Sequence, residues 1–409
     1  MADRIIETYD PELFALLCEE EERQRDTLDM IASESLMDQV SKALSGSAFG
    51  SKTAVGLPGH QRMEGSGPAD KLERLAAERA CALFGAEHAN MLSYSGTTAN
   101  LCAYDAVLQP GDTVLALDPE HGSHASHGRA AHLSGKIYRF VHFGLDPHTQ
   151  LIDYDGLREL AERVKPRLMV IGASAYPRHF DYEKLADIAH KAGAVFMVDM
   201  AHTTGLAAGK AGPNPVPFAD IVTASCTKTM CSCHTGFILC KKEFAGAVDR
   251  GVYPGLIASM HLQTVATAAW ALKRAASPEF AALMQKTVEN AKALCAALEK
   301  RGIPVLTGGT DCHLFVADLR GKAANGRQLT ENLARMGIWT NSKKIPHDPS
   351  EEPGGVRAGC TVLTQRGMGA KEMERVADLW AAALDLDEEK LAWAKGEVAA
   401  LCREFPEPV

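Results

Sequence analysis

An α/β fold built on a mostly parallel sheet is the architecture this sequence predicts. Short runs such as Thr113-Val114-Leu115-Ala116-Leu117, Arg167-Leu168-Met169-Val170-Ile171 and Ala194-Val195-Phe196-Met197-Val198-Asp199 are apolar almost throughout. That is the composition of strands buried on both faces. Stretches with helical spacing, at 154–164 and 182–192, lie between them, which is the alternation of a parallel sheet covered by helices. The chain has 409 residues, 46% hydrophobic and 23% charged. Such a length suits a large domain plus a smaller one.

Taken in order, residues 10–28 set Leu13, Leu16 and Leu17 among many glutamates. This is an amphipathic helix with an acidic outer face. It either docks on a partner subunit or packs on its own domain. Residues 33–68 are crowded with Gly, Ser and Pro and predict long ordered loops, which are usually functional. A helix follows over 70–83, a strand over 89–93 and a helix over 97–107. Further strands are expected at 113–117, 136–141, 167–171, 194–199 and 220–222. Two long Ala-rich helices, 259–276 and 278–301, lead to a second unit with strands near 313–317 and 355–358. Its helices are expected at 327–337, 371–386 and 388–401. The expected division is an N-terminal helical arm (1–40), a large domain (41–275) and a small α/β C-terminal domain (276–409).

The formal net charge is -9. This balance argues against nucleic acid or an anionic membrane as partner. No stretch is long and apolar enough to span a bilayer. The start, Met1-Ala2-Asp3-Arg4, does not have the pattern of a signal peptide. Eleven cysteines lie scattered in mostly apolar contexts. They predict reduced thiols in a cytoplasm, not a disulfide framework.

Chemistry gathers at the expected strand ends, where ligands of such sheets bind. Ser95-Gly96-Thr97-Thr98-Ala99-Asn100 is a small, hydroxyl-rich turn opening a helix, and a helix N-terminus binds phosphate. The strand 194–199 ends in Asp199, followed closely by His202; a strand-end Asp can hold a pyridinium nitrogen protonated. Thr223-Ala224-Ser225-Cys226-Thr227-Lys228-Thr229 ends another strand in a lysine, which can form a Schiff base. Phosphate cup, acid and lysine, in that chain order, describe a pyridoxal 5'-phosphate (PLP) site. One imidazole of His121-Gly122-Ser123-His124-Ala125-Ser126-His127 is expected to stack on the cofactor ring; a solvated polar turn or a metal site are the rivals. Cys226, Cys231, Cys233 and His234 have metal-ligand chemistry but not zinc-knuckle spacing, so no metal is expected. Arg357, on an apolar strand, is either a structural ion-pair partner or a bidentate clamp for a substrate carboxylate.

The string of motifs resembles the serine hydroxymethyltransferase family of fold-type I PLP enzymes, which have a large domain on a seven-stranded sheet. The matching pieces include Ile31-Ala32-Ser33-Glu34, Leu83-Phe84-Gly85-Ala86, the turn at Ser95, Pro110-Gly111-Asp112-Thr113-Val114 and His121-Gly122-Ser123-His124. They continue with Ser174-Ala175-Tyr176, Val198-Asp199-Met200-Ala201-His202, Pro213-Asn214-Pro215-Val216-Pro217 and Gly308-Gly309-Thr310-Asp311-Cys312-His313-Leu314-Phe315. The resemblance runs from about residue 10 to 385. It implies Lys228 as the Schiff-base lysine, Asp199 as the partner of the pyridine nitrogen and His124 as the stacked ring. It implies Ser95, Gly96 and Thr97 as the phosphate cup, and Ser174 and His202 near the cofactor's phenolic oxygen. Ser33 and Arg357 become the ligands of the substrate carboxylate, and the protein a homodimer acting on serine, threonine, glycine or another β-hydroxy amino acid.

Departures from the family pattern are concentrated. The family's acid/base and folate-contacting glutamate is Val55, and its tyrosines nearby are Thr53, Leu57, Arg62 and Met63. The histidine before the lysine is Thr227, which takes its place among the catalytic candidates. The Gly-Pro-Arg-Gly after the lysine is Ser232-Cys233-His234-Thr235. A Gly-rich loop shortens to Pro254-Gly255-Leu256-Ile257-Ala258, and the pterin-site asparagine falls near Lys343. Losing a carboxylic acid that moves protons costs about a hundredfold to ten-thousandfold. The expected activity is therefore a folate-independent aldolase or transaldolase at the Cα–Cβ bond. The alternatives are a genuine tetrahydrofolate-dependent serine hydroxymethyltransferase, a Cα racemase or aminotransferase, or a non-catalytic paralogue, against which Lys228, Asp199 and Arg357 argue together.

Overall fold

A computed structural model describes residues 2–408. Seven strands form the central sheet: β1 (His88–Asn90), β2 (Thr113–Leu117), β3 (Arg139–Phe143), β4 (Leu168–Ile171), β5 (Val195–Asp199), β6 (Ile221–Ser225) and β7 (Gly236–Cys240). Their spatial order is β1-β7-β6-β5-β4-β2-β3. The pairs β6/β5, β5/β4, β4/β2 and β2/β3 are parallel, and β7 is antiparallel to both its neighbours. The fold is thus fold-type I with a mostly parallel sheet. Every residue of β4, β6 and β7 is buried, because helices cover both faces of the sheet.

Three local departures from the sequence expectations have physical causes. Strand β7 was not expected. It needs Gly236, where a Cβ would lie 2.4 Å from the Ser95 carbonyl oxygen. Residues 136–141 are not one strand: a short helix, Leu133–Ile137, ends there and β3 begins at Arg139. His132 caps that helix by accepting from the Ser134 amide. Within the expected loops a helix forms over Gln39–Ser45, capped by Asp38 accepting from the Ser41 amide at 2.7 Å. Trp270 Nε1 and the Arg274 guanidinium both donate to Asp38, tying the cap to the helix Leu262–Ala275.

A second apolar core packs the helices Pro278–Lys300, Gly326–Met336, Ala370–Ala383 and Glu388–Glu404 on a small antiparallel sheet. Its strands are β8 (Leu314–Asp318), β9 (Asn341–Lys343) and β10 (Gly355–Gly359), in the order β9-β10-β8. Leu28 and Met30 belong to this core, and Leu28 pairs in parallel with Ile338. The chain leaving the helix Pro11–Asp26 is therefore anchored on the second core before it runs into segment 31–35. That helix buries none of its residues; Leu13 is 55% and Leu16 61% exposed. No helix among the described residues is long and apolar enough to cross a membrane.

Candidate active site

The C-terminal ends of β5 and β6, the start of the helix Gly96–Val107 and segment 33–35 enclose a cavity of about 480 Å³. Ser33, Ser95, Gly96, Thr97, His124, Ser174, Asp199, His202, Thr227 and Lys228 all line it. Ser95 caps the helix: its Oγ accepts the Thr98 amide at 3.1 Å. The amides of Gly96 and Thr97, in the first turn, have no partner inside the helix and are free for an anion.

Asp199 sits at the end of β5 and is held from three sides. Its Oδ2 accepts from Asn100 Nδ2 at 2.8 Å and from His127 Nε2 at 3.2 Å, and its Oδ1 from the Ala201 amide at 2.9 Å. Burial alone would raise the pKa of this carboxyl. The His127 hydrogen bond and charge, then His124 and Asn100, outweigh burial and hold it well below the ordinary carboxylate range. A buried, ionised carboxylate is what a cationic ring nitrogen requires. His124 is kept neutral: burial pushes its pKa down to about 4, against the pull of Asp199. Its Nδ1 accepts from the Ser126 amide at 3.2 Å and faces Ser126 Oγ at 2.7 Å, so the ring proton sits on Nε2.

Lys228 follows β6 by three residues. Burial pushes its ammonium below the ordinary lysine range; Asp199 opposes the shift and Arg357 adds to it. Thr227 is fixed by its backbone, whose carbonyl accepts from Ser35 Oγ at 2.5 Å. Arg357 is not on the cavity's inner wall. It stands on β10 behind Ser174, donating from Nη1 to the Ser174 carbonyl at 2.8 Å and from Nε to Asn341 Oδ1 at 3.0 Å. Among the described residues no carboxylate pairs with it, and burial pushes its pKa down to about 10. The ion-pair reading therefore has no partner here, and the guanidinium remains available to a ligand. His202 and His313 stack with centroids 5.5 Å apart. Burial keeps both neutral, with His313 pushed down to about 3.

An anion cup, a buried carboxylate and a buried lysine with a lowered pKa around one cavity fit PLP. The family model for serine hydroxymethyltransferase matches residues 6–380. A serine hydroxymethyltransferase of Acidobacterium capsulatum is 42% identical over 413 aligned positions, covering 99% of this chain and 97% of the relative. The chain belongs to the serine hydroxymethyltransferase family. It is accordingly a PLP-dependent, serine hydroxymethyltransferase-like enzyme with amino-acid substrates such as serine and glycine.

Several residues of this serine hydroxymethyltransferase-like site carried no role in the sequence reading. Asn100 is fully buried; besides Asp199 it donates to Ser126 Oγ at 2.9 Å and accepts from Thr223 Oγ1 at 2.6 Å. His127 is fully buried against Asp199. Glu34 and Arg23 line the cavity, and Arg23 lies 3.6 Å from Glu34 and 3.5 Å from Asp29. Burial, then the hydrogen bond and charge of Glu34, push Asp29 up to about 8. The cysteines near Lys228 are buried; burial pushes Cys231 up to about 12 and Cys233 up to about 11. No three His, Cys, Asp or Glu side chains among the described residues converge as metal ligands. No residue of 46–68, Val55 included, lines the cavity.

Proposed function

We propose that the protein makes and breaks the Cα–Cβ bond of a β-hydroxy-α-amino acid, with glycine and an aldehyde as the other reactants, and does so without tetrahydrofolate. The observation that carries this reading is a contrast. The residues suited to PLP share one cavity with Ser33, and Arg357 stands behind Ser174 of its lining, whereas Val55, Thr53, Leu57, Arg62 and Met63 stand where the family has a carboxylate and aromatic walls.

The reaction is redox-neutral. In cleavage the β-hydroxyl loses its proton, the Cα–Cβ bond breaks, the β-carbon leaves as the aldehyde and Cα takes up a proton. PLP, when bound, withdraws the electron pair released at Cα. Lys228 would hold the cofactor covalently, and Ser95, Gly96 and Thr97 its phosphate. Asp199, ionised and fixed, would keep its nitrogen protonated. His124 would offer a flat neutral ring, with Ser174 and His202 near the phenolic oxygen. Arg357 and Ser33 would bind the substrate carboxylate, Arg357 bidentately. Glu34 supplies a carboxylate on the cavity wall for the β-hydroxyl proton, and Thr227 fills the space beside the lysine.

Exposed Leu13, Leu16, Val40 and Met63, with the outward loops of 46–68, support a homodimer in which those loops complete the partner's site. The two apolar cores support the division between 41–275 and 276–409, with 1–40 as the arm. Eleven free thiols support a cytoplasmic setting.

A tetrahydrofolate-dependent enzyme is the second reading, favoured by the 42% identity along nearly the whole chain. The test is glycine formation from serine with and without tetrahydrofolate. The folate-free reading expects glycine and aldehyde in equal amounts without it. Glycine formed only with tetrahydrofolate selects the second reading.

A further inference from the structure

Lys343 stands on β9, two residues after Asn341. In the antiparallel register Asn341 lies opposite Arg357, and Lys343 opposite Gly355. Residues opposite one another, or two apart on one strand, share a face of the sheet. Asn341, Lys343 and Arg357 therefore project from the same side. That side meets the large domain: Arg357 donates to the Ser174 carbonyl, while Lys343 lines a narrow crevice with Gly122 and Ala175. The Gly122 carbonyl accepts the amides of Ser174 at 2.8 Å and Ala175 at 3.0 Å, so crevice and cavity share one wall.

Neither cation has an acidic partner among the described residues. Glu120, the acid that acts on Lys343, is shared between Arg129 at 3.2 Å and Lys344 at 4.0 Å. Diagonal neighbours across a sheet are about 7–8 Å apart, and like charges on paired strands repel. Burial, then the Arg357 charge, push Lys343 below the ordinary lysine range. Two half-buried cations on one face of the sheet, with no acidic partner among the described residues, favour anionic groups bound beside them. Arg357 meets the carboxylate common to every amino acid, so Lys343 is left for an acid elsewhere on the reacting molecules.

We propose that Lys343 is a specificity-determining residue that recognises a second acidic group, a carboxylate or phosphate, on the molecule joined to or released from glycine. This rests on the Cα–Cβ reading above. The acid belongs either to the aldehyde and the side chain derived from it, or to the glutamate end of a folate.

The experiment compares the holoenzyme with Lys343→Gln and Lys343→Arg in three arms. In the first, glycine is joined to succinic semialdehyde or to butanal, which has the same number of carbons and no charge. The proposal expects wild type to favour the acidic aldehyde. It expects Lys343→Gln to lower the ratio of kcat/KM values, acidic over neutral, by about tenfold or more, the scale of one hydrogen bond to a charged group. The loss should lie in KM, and Lys343→Arg should restore most of it. In the second arm, a comparable rise in KM for tetrahydrofolate during serine cleavage would assign the acid to folate. The third arm is calorimetry of L-glutamate against L-norvaline, which needs no turnover. Glutamate discrimination that disappears in Lys343→Gln supports the anion site even if no carbon–carbon chemistry is found, in which case the Cα–Cβ reading alone fails. If all three arms leave Lys343→Gln indistinguishable from wild type, the proposal is overturned whatever the chemistry.

Discussion

The side-chain amide of Asn100 lies 2.8 Å from Asp199 Oδ2 and spends its second N–H on Ser126 Oγ, 2.9 Å away. Ser126 Oγ in turn faces His124 Nδ1 at 2.7 Å. One buried amide thus fixes the carboxylate and, through Ser126, orients the neutral imidazole. Its oxygen is taken by Thr223 Oγ1 on β6, so the network also ties the site to the strand that leads to Lys228. Asn100→Ala takes one partner each from Asp199 and Ser126 and the hydrogen-bond acceptor from Thr223 Oγ1. The expected loss is about 2–3 kcal/mol, since each unsatisfied group costs roughly 1–3 kcal/mol before relaxation. Urea denaturation of the cofactor-free protein measures it. A loss under about 0.5 kcal/mol, the scale of a surface substitution, would mean the network is not rigid.

Arg357 has a carbonyl and an amide oxygen as its partners and, among the described residues, no carboxylate. A point-charge ammonium does not reproduce a bidentate clamp. Arg357→Lys should raise the amino-acid KM by about tenfold or more, the cost of lost charge-assisted hydrogen bonds, while cofactor absorbance persists. Unchanged amino-acid affinity would make Arg357 a structural residue of the domain contact.

Glu34 shares the cavity wall with Lys228 and has Arg23 at 3.6 Å. As the acceptor of the β-hydroxyl proton it should matter to turnover and little to binding. Glu34→Gln is expected to lower kcat by about a hundredfold, the low end for a positioned acid–base group. A kcat within twofold of wild type would remove Glu34 from the mechanism.

The pH dependence of stability has a sign set by Glu73. Burial, with the charge of Asp70, pushes its carboxyl from the ordinary 4.5 up to about 8, although Gln61 donates to it at 3.2 Å. The folded protein then keeps a proton that the unfolded chain releases. Its contribution is complete below pH 4.5 and is lost as pH rises toward 8. The slope for one such group is about 1.4 kcal/mol per pH unit. His124, pushed from 6.5 down to about 4, works in the opposite sense between those values, so its opposition ends above pH 6.5, where Asp29, pushed up to about 8, adds a slope of the same sign to wild type and variant alike. Across pH 6.5–8, Glu73→Gln should lose about 1–2 kcal/mol less stability than wild type. Parallel stability curves would contradict the buried proton.

The sequence made much of this legible because the functional groups sit where chain direction dictates. Asp199 and Lys228 end or follow apolar runs, and Ser95 opens a helix, so each could be placed at the mouth of a parallel sheet from its neighbours alone. Strand β7 was hidden by the Cys-rich turn before it. Its reversed direction follows from the 226–235 link, which is shorter than the dozen or more residues a parallel crossover needs. Asn100, His127 and Glu34 were visible as letters, but not as partners. Asn100 meets Asp199 across 99 positions and His127 meets it across 72, and no periodicity encodes that. The helix Gln39–Ser45 went unseen because its cap depends on Trp270 and Arg274. The lack of a carboxylate at Arg357 is likewise a property of packing.

The account turns on Lys228 as the residue that holds the cofactor between Asp199 and the phosphate cup. Borohydride reduction of the holoenzyme followed by peptide mapping tests this most directly. A pyridoxyl label on the peptide carrying Lys228, absent from Lys228→Ala, is the result predicted. A label on Lys343 or Lys344 instead, with Lys228 unmodified, would contradict the site described here.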